Sequence, residues 1–187
     1  MLRRLYPYEY VDSVFSIDYN ELYNKGYKGI IFDIDNTLVH HGDDSTKEID
    51  ELFIMLQNIG FKTLILSNNN EERILRFLKN IDSLFIAEAE KPKTENYLKA
   101  VGMLGIDKSE ALFIGDQIFT DILGANNSGI ANILVKFIRA EGETKIGKRR
   151  QAENVILKMY KHSRKYQHRL GSISKEEAHA HYVMAQE

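Results

Sequence analysis

The sequence predicts a Rossmann-like, doubly wound α/β domain with a mainly parallel sheet of about five strands. Three observations carry that prediction. Five short runs rich in Ile, Leu and Phe recur along the chain, the segments between them space their apolar residues as helices do, and the runs are continuously apolar instead of alternating. Continuous apolar strands separated by helices fit a parallel sheet covered on both faces, and such sheets gather ligands outside the carboxyl ends of their strands.

The first run, Gly29 to Phe32, leads straight into two carboxylates, Asp33 and Asp35. A helix is expected over Thr46 to Ile59, where Ile49, Leu52, Phe53, Leu56 and Ile59 fall on one face. Ser45 with Glu48 reads as its capping box and Gly60 as its stop. Thr63 to Leu66 is the second strand, followed by a helix over Asn70 to Leu78. Leu84 to Ala87 is the third, followed by a helix over Thr94 to Leu104 with Tyr97, Leu98, Val101 and Leu104 as its stripe. Ala111 to Ile114, a helix over Thr120 to Asn127, and Ile133 to Val135 complete the alternation.

Beyond Phe137 the composition changes. Lys145 to Arg169 carries nine Lys or Arg against one acid, Glu153. Arg149 to His162 reads as a last helix, with Val155, Ile156, Met159 and Tyr160 near one face, and packing on the sheet is preferred to lying on a membrane. No periodicity survives after about Ser163, so residues 1–162 are expected to form the domain and 163–187 a loosely ordered tail.

With 187 residues, 43% hydrophobic and 28% charged, the chain has ordinary globular composition and one core is expected. A formal charge of −2 gives no global sign of nucleic-acid binding. No apolar stretch approaches the roughly 18 residues of a membrane span, and the start MLRRLYPYEY lacks the apolar core of a secretory signal, so a cytoplasmic location is expected. Without cysteine, chemistry falls to carboxylates, hydroxyls, lysine and histidine.

Those groups cluster where strands end. Asp33 and Asp35, spaced i, i+2 after an apolar strand, project in one general direction while the backbone stays extended. Such a pair repels itself unless a cation lies between its members or one takes a proton, which suits a Mg²⁺ site or a nucleophile beside an acid/base group. Turn chemistry with Asn36 and Thr37 is the alternative. Ser67 ends the second strand just before a helix, where a hydroxyl and backbone amides meet a phosphate oxygen; a plain helix cap is its alternative. Lys91 and Lys93 precede the third helix, placed to neutralise a phosphoryl group or to be solvated. Asp116 and Asp121 follow the fourth strand, oxygen donors of the kind Mg²⁺ prefers.

Taken in order, these four strings resemble the four motifs of the haloacid dehalogenase (HAD) phosphatase superfamily, over roughly Lys28 to Val135. The resemblance implies an HAD-like fold and the following roles. Asp33 is the nucleophile that becomes an aspartyl-phosphate and also binds Mg²⁺. Asp35 is general acid and then base, with its backbone carbonyl on the metal. Ser67 binds the phosphoryl group, Lys91 ties phosphate to nucleophile, Asp116 holds Mg²⁺ and Asp121 supports the loop. Lys93 is the alternative to Lys91. Acting as an acid, Asp35 is expected to have its pKa raised by its charged neighbour.

From Asp33 to Ser67 is 34 residues and from Ser67 to Lys91 is 24, each filled by one helix and one strand, so no cap domain fits. A capless site is open to a large or surface-borne phosphate, or takes a lid from a partner subunit, which leaves an oligomer open. His40, His41, Gly42, Asp43 and Asp44 form the candidate flap, with a polar surface turn preferred for the two histidines. Pro7 to Ile17, Tyr27 to Gly29, the Asp33 to Leu38 motif and Gly115 to Asn126 look like the bacterial YqeG family of subclass IIIA phosphatases, whose fungal relatives act on phosphatidylglycerophosphate. This implies a lipid phosphate as candidate substrate and peripheral contact with the inner face of the membrane, with no nucleic-acid partner. Six of the ten tyrosines lie in the first 27 residues and suit either an interfacial belt or the sheet edge. The alternatives are a phosphatase of soluble or protein phosphates and a non-catalytic phosphate-binding scaffold. A response-regulator module is disfavoured by the Asp-x-Asp-x-Thr order.

Overall fold

A computed structural model describes residues 2–138 and 147–175. Six strands build one sheet: β1 (Glu9–Val11), β2 (Gly29–Phe32), β3 (Lys62–Leu66), β4 (Leu84–Ile86), β5 (Ala111–Gly115) and β6 (Ala131–Val135), in the order β1-β6-β5-β2-β3-β4. Every neighbouring pair is parallel. The chain lays β3 and β4 outward on one side of β2, then returns to place β5 on the other side, so the winding reverses between β2 and β5. Phe32 is in register with Ile65 on one flank and Ile114 on the other, so Asp33 and the segments after β3 and β5 leave the sheet at one edge. That edge is where a doubly wound sheet opens a crevice.

The helices are α1 (Tyr19–Asn24), α2 (Lys47–Ile59), α3 (Glu71–Phe77), α4 (Thr94–Leu104), α5 (Leu123–Ser128) and α6 (Lys148–Lys161). Alternate strand residues feed two opposite cores, as the two-residue period of a strand requires. Ile30 and Phe32 join Leu22 of α1 and Phe53 and Leu56 of α2 on one face, while Ile31 joins Tyr97 and Val101 of α4 and Ala125 of α5 on the other. A third cluster sets Ile156 and Tyr160 of α6 against Leu134, Tyr6, Ile118 and Ile122.

The five expected strands are present. The sixth, β1, is a three-residue edge strand carrying Glu9, too short and too polar to show a period. The cap of α2 is Thr46, whose hydroxyl accepts from Ile49 N at 3.4 Å, and Ser45 donates instead to Asp50 Oδ1 at 2.6 Å. Gly60 closes that helix at φ 111°, a left-handed position a side chain disfavours. Leu98 of the expected α4 stripe is exposed and Ala100 is buried instead. The helix expected from Thr120 begins earlier as a π-turn, Ile118–Ile122, and continues as α5. On α6, Val155 and Met159 are exposed while Glu153 is buried, because the inward face serves a polar purpose described below. Tyr6 and Tyr19 are buried and Tyr8, Tyr10, Tyr23 and Tyr27 pack partly buried against the cores, so these tyrosines do not form an exposed belt.

The expectation of a loose tail from Ser163 fails for residues 163–175. Leu170 and Ile173 are buried in the core that also holds Val14 and Ile17, Asp18 N donates to Ile173 O at 2.7 Å, and Ile17 bridges Ser174. Two apolar residues three apart carry too little period to announce this. Residues 176–187, the rest of the expected tail, lie outside the described residues. If 163–175 is part of the core, Ile173→Ala lowers the unfolding free energy by about 2–5 kcal/mol. Urea unfolding checks this, and a change within about 0.5 kcal/mol contradicts it.

Candidate active site

The site is assembled from loops that follow β2, β3, β4 and β5. After β2, Asp33 N donates to Ile114 O at 3.0 Å, which holds the carboxylate at the switch point. The chain then turns tightly: Asn36 takes φ 61°, a left-handed position Asn tolerates, and Thr37 N and Leu38 N both donate to Ile34 O. The turn sends the side chains of Asp33 and Asp35 to different partners.

Asp33, Lys91 and Asp121 form a buried chain of charge. Lys91 Nζ donates to Asp33 Oδ1 at 2.7 Å and to Asp121 Oδ1 at 2.8 Å, with all three side chains at most 9% exposed. Lys93 is exposed and pairs with Glu90, so Lys91 is the lysine brought to the site. Its backbone is fixed from β3's loop: Asn68 Oδ1 accepts from Lys91 N at 2.7 Å. Asp121 is placed by the π-turn, accepts from Gln117 N at 2.9 Å, and lies against Gly115, where a Cβ would come 2.6 Å from its Cγ. A side chain at 115 would therefore displace Asp121. Single π-turns of this kind concentrate at functional sites.

Asp116 is the third acid. Thr37 Oγ1 donates to its Oδ1 at 3.3 Å, and Arg150 of α6 donates to its Oδ2 and, at 2.7 Å, to its backbone carbonyl. One oxygen of each of Asp33, Asp116 and Asp121 lies within 4.8 Å of the others. Burial, with Asp121 adding and Lys91 opposing, pushes Asp33 up to about 6. Burial, then repulsion from Asp121 and Asp33, pushes Asp116 up to about 8 in spite of Arg150. Burial disfavours charge on Lys91, yet the two carboxylates overcome it and hold the ammonium well above the usual lysine range. When all three are ionised, these hard carboxylates facing two protein cations carry an excess of negative charge, the donor set that a hard divalent ion such as Mg²⁺ would fit by displacing the proton held on Asp116.

Asp35 stands apart from this cluster. Its Oδ2 accepts from Asn69 Nδ2 at 2.7 Å and its Oδ1 from Arg73 Nη2 and Gly42 N, each at 3.1 Å; His41 Nδ1 lies 3.2 Å from Oδ2. Burial raises its pKa, but Asn69, Gly42, Arg73 and His41 together lower it below the usual carboxylate value. The expectation of a raised pKa is thereby overturned, because the neighbours that reach Asp35 are donors and cations and the other acids turn to Lys91 and Arg150. The flap is tied down over it: Arg73 donates to Asp43 O and Arg76 to Gly42 O, and Arg76 also pairs with Asp44. His41 is 72% exposed yet touches Asp35, more than a surface turn requires.

Ser67 is buried at the end of β3, beside the strand that carries Asp33, and its hydroxyl accepts from Asn69 N at 3.2 Å. Ser67 is not the cap of α3; that cap is Asn70, whose Oδ1 accepts from Arg73 N at 3.0 Å, and Ser67 serves the turn before it. Thus Asp33, Ser67, Lys91, Asp116 and Asp121 are brought to one edge, with Asp35 at its rim. Thr37, Asn68, Asn69, Arg73, Arg150 and Glu153 belong to the same constellation and escape the sequence reading. A run of three asparagines after Ser67 and a single acid within the basic half are the signals that point to three of them, Asn68, Asn69 and Glu153.

The sequence profile of the haloacid dehalogenase-like hydrolases matches residues 41–129, which include Ser67, Lys91, Asp116 and Asp121. A probable phosphatase, YqeG, of Bacillus subtilis (strain 168) is 36% identical over 163 residues, covering 86% of this chain and 95% of its own length. A glyceraldehyde 3-phosphate phosphatase of Pyrococcus abyssi is 32% identical over 98 residues, 46% of this chain and 40% of that protein. Among solved structures, an uncharacterised protein from Listeria monocytogenes serotype 4b shares the fold with a TM-score of 0.50 and 23% identity, over 72% of this chain and 99% of its own.

The upward shifts at Asp33 and Asp116 have a stability consequence. An acid whose folded pKa is raised holds a proton that the unfolded chain releases near pH 4, so its contribution is complete below that pH and is lost as pH rises through the folded value. In EDTA, stability therefore falls from about pH 4 to about pH 6 on account of Asp33 and on to about pH 8 on account of Asp116, by at most about 1.4 kcal/mol per group per pH unit. Urea midpoints across this range are expected to decline, and to decline less in Asp116→Asn. A flat wild-type profile contradicts the electrostatics described.

Proposed function

The chain belongs to the haloacid dehalogenase-like hydrolase family and is a phosphatase, and on that premise we propose that it hydrolyses a phosphate monoester through an aspartyl-phosphate on Asp33. The observation that carries the reading is the Lys91 ammonium shared by Asp33 and Asp121 beside Asp116, at the switch point of the sheet. Asp33, Asp116 and the backbone carbonyl of Asp35 would hold Mg²⁺, with Asp121 as a neighbouring carboxylate. Bound there, the ion would screen the charge between nucleophile and phosphoryl oxygens.

The residues divide the work. At neutral pH Asp33, with a pKa of about 6, is ionised and able to attack phosphorus. As the new Asp33–phosphorus bond forms, the bond to the leaving oxygen breaks and that oxygen takes a proton from Asp35. Water then attacks phosphorus, Asp35 takes its proton, the bond to Asp33 breaks to release phosphate, and Asp35 gives its proton up to solvent to become an anion again. Asp35, held below the usual carboxylate value, begins the cycle as an anion, so it receives its proton with the substrate. A phosphate monoester, with a second pKa near 6, carries that proton on a sizeable fraction of molecules near neutrality. Ser67 and Lys91 hold the phosphoryl oxygens, which keeps the group in line and offsets its charge.

The substrate we propose is a phosphate monoester carried on a lipid, phosphatidylglycerophosphate, met at the cytoplasmic membrane face. Its support is an open mouth: only the flap and α2 lie between Asp33 and β3, and only α3 with a short 3₁₀ turn lies between β3 and β4. Further support is α6, which reaches the site through Arg150 and exposes Val155 and Met159 along a basic helix. No described helix is long and apolar enough to cross a bilayer.

Phosphate release measured with and without Mg²⁺ over p-nitrophenyl phosphate, phosphoproteins, soluble sugar phosphates and phosphatidylglycerophosphate in mixed micelles tests both levels. Asp33→Asn is expected to lower kcat by at least about 10³-fold and Asp35→Asn by about 10²–10⁴-fold, and EDTA to abolish turnover. Undiminished turnover in Asp33→Asn rejects the mechanism. Turnover of soluble esters with none of the lipid keeps the phosphatase and removes the lipid substrate.

A further inference from the structure

Arg150 and Glu153 lie one turn apart on α6 and both face inward. Arg150 Nη1 donates to Asp116 O at 2.7 Å and to Glu153 Oε2 at 3.0 Å, and Nη2 donates to Asp116 Oδ2. Glu153 Oε1 accepts from Ile118 N at 2.9 Å and from Phe119 N at 3.2 Å. The acidic loop from Asp116 to Phe119 is thus gripped by two side chains of a helix that begins more than 30 residues later; the separation of Arg150 from Asp116 is 34. Ile156 and Tyr160 pack α6 onto the domain, yet the same inward side also buries Glu153, 3% exposed, and most of the Arg150 side chain, 18% exposed, and burying charge costs stability unless each member is fully engaged.

We propose that Arg150 is a positioning residue for the cation site: by holding Oδ2 and the backbone carbonyl of Asp116, it aims Oδ1 at the Asp33–Asp121 cluster, and Glu153 fixes the loop behind it. This rests on the reading of Asp116 as a cation ligand. Arginine suits the task because its rigid planar fork offers two donors in fixed geometry to the carboxylate and the carbonyl, where an ammonium acts as a point charge without that fixed aim. The opposite physical outcome is a guanidinium that competes with the cation for Asp116, and it has the opposite sign.

The test is Mn²⁺ binding to the full chain, followed by the electron paramagnetic resonance signal of the free ion, in the wild type and in Arg150→Gln, Arg150→Lys and Glu153→Gln, with circular dichroism and urea midpoints recorded for each. Arg150→Gln is expected to raise the Mn²⁺ dissociation constant by about 10- to 100-fold, Arg150→Lys to recover part of that loss, and Glu153→Gln to weaken binding less. A folded Arg150→Gln that binds Mn²⁺ as tightly as the wild type, or more tightly, overturns the proposal. If Arg150→Gln does not fold, Arg150→Lys decides, and unchanged binding there overturns it equally. Wild-type protein that binds no Mn²⁺ removes the cation reading itself, and this inference with it.

Discussion

Three carboxylates buried within one small volume set the terms for this fold. Asp33, Asp116 and Asp121 each bring an oxygen within 4.8 Å of the others, where water does little to weaken their repulsion. Lys91 offsets two of them and Arg150 the third, and neither cation comes from the strands that carry the acids. Much of the local structure holds these five charges in place. Asn68 fixes the backbone of Lys91, Gly115 leaves room for Asp121, and Tyr97 donates to Thr120 O at 2.9 Å to tie the π-turn to α4. Gly124 belongs to the same fitting, since a Cβ there would come 2.4 Å from the Tyr97 ring.

The two early carboxylates are separated by environment although only one residue lies between them. Asp33 enters the buried cluster and rises, while Asp35 meets Asn69, Arg73, Gly42 and His41 and falls. Divergence of neighbouring acids is how an acid/base pair is assigned different duties. In the proposed mechanism attack falls to the buried member and proton handling to the member at the rim, the reverse of what the two shifts alone would assign, so the substrate must bring the proton under a flap whose tethers are Arg73 and Arg76.

Much of this is legible in the sequence. Continuous apolar runs mark β2, β3, β5 and β6 because parallel strands are buried on both faces, and the polar residue after each run marks the edge where the site lies. The residues that generate charge, Asp33, Asp116 and Lys91, are legible because their strings sit at strand ends. Their partners are not. Arg150 and Glu153 join the site only through the packing of α6 from 34 residues away, and in the sequence they read as one more basic helix. The pKa of Asp35 turns on Arg73 and Asn69, whose positions depend on how α3 leaves β3. Leu170 and Ile173 return to the core without a helix or strand to advertise them.

The central claim is that Asp33 forms a covalent bond to phosphorus. Rapid quenching of the working enzyme followed by borohydride reduction converts an aspartyl-phosphate to homoserine, and peptide mass spectrometry reads its position. Homoserine at residue 33, formed only when substrate and Mg²⁺ are both present, is the predicted result. Trapping at another side chain, or steady turnover with residue 33 unmodified under conditions that trap a known aspartyl-phosphate enzyme, contradicts the account.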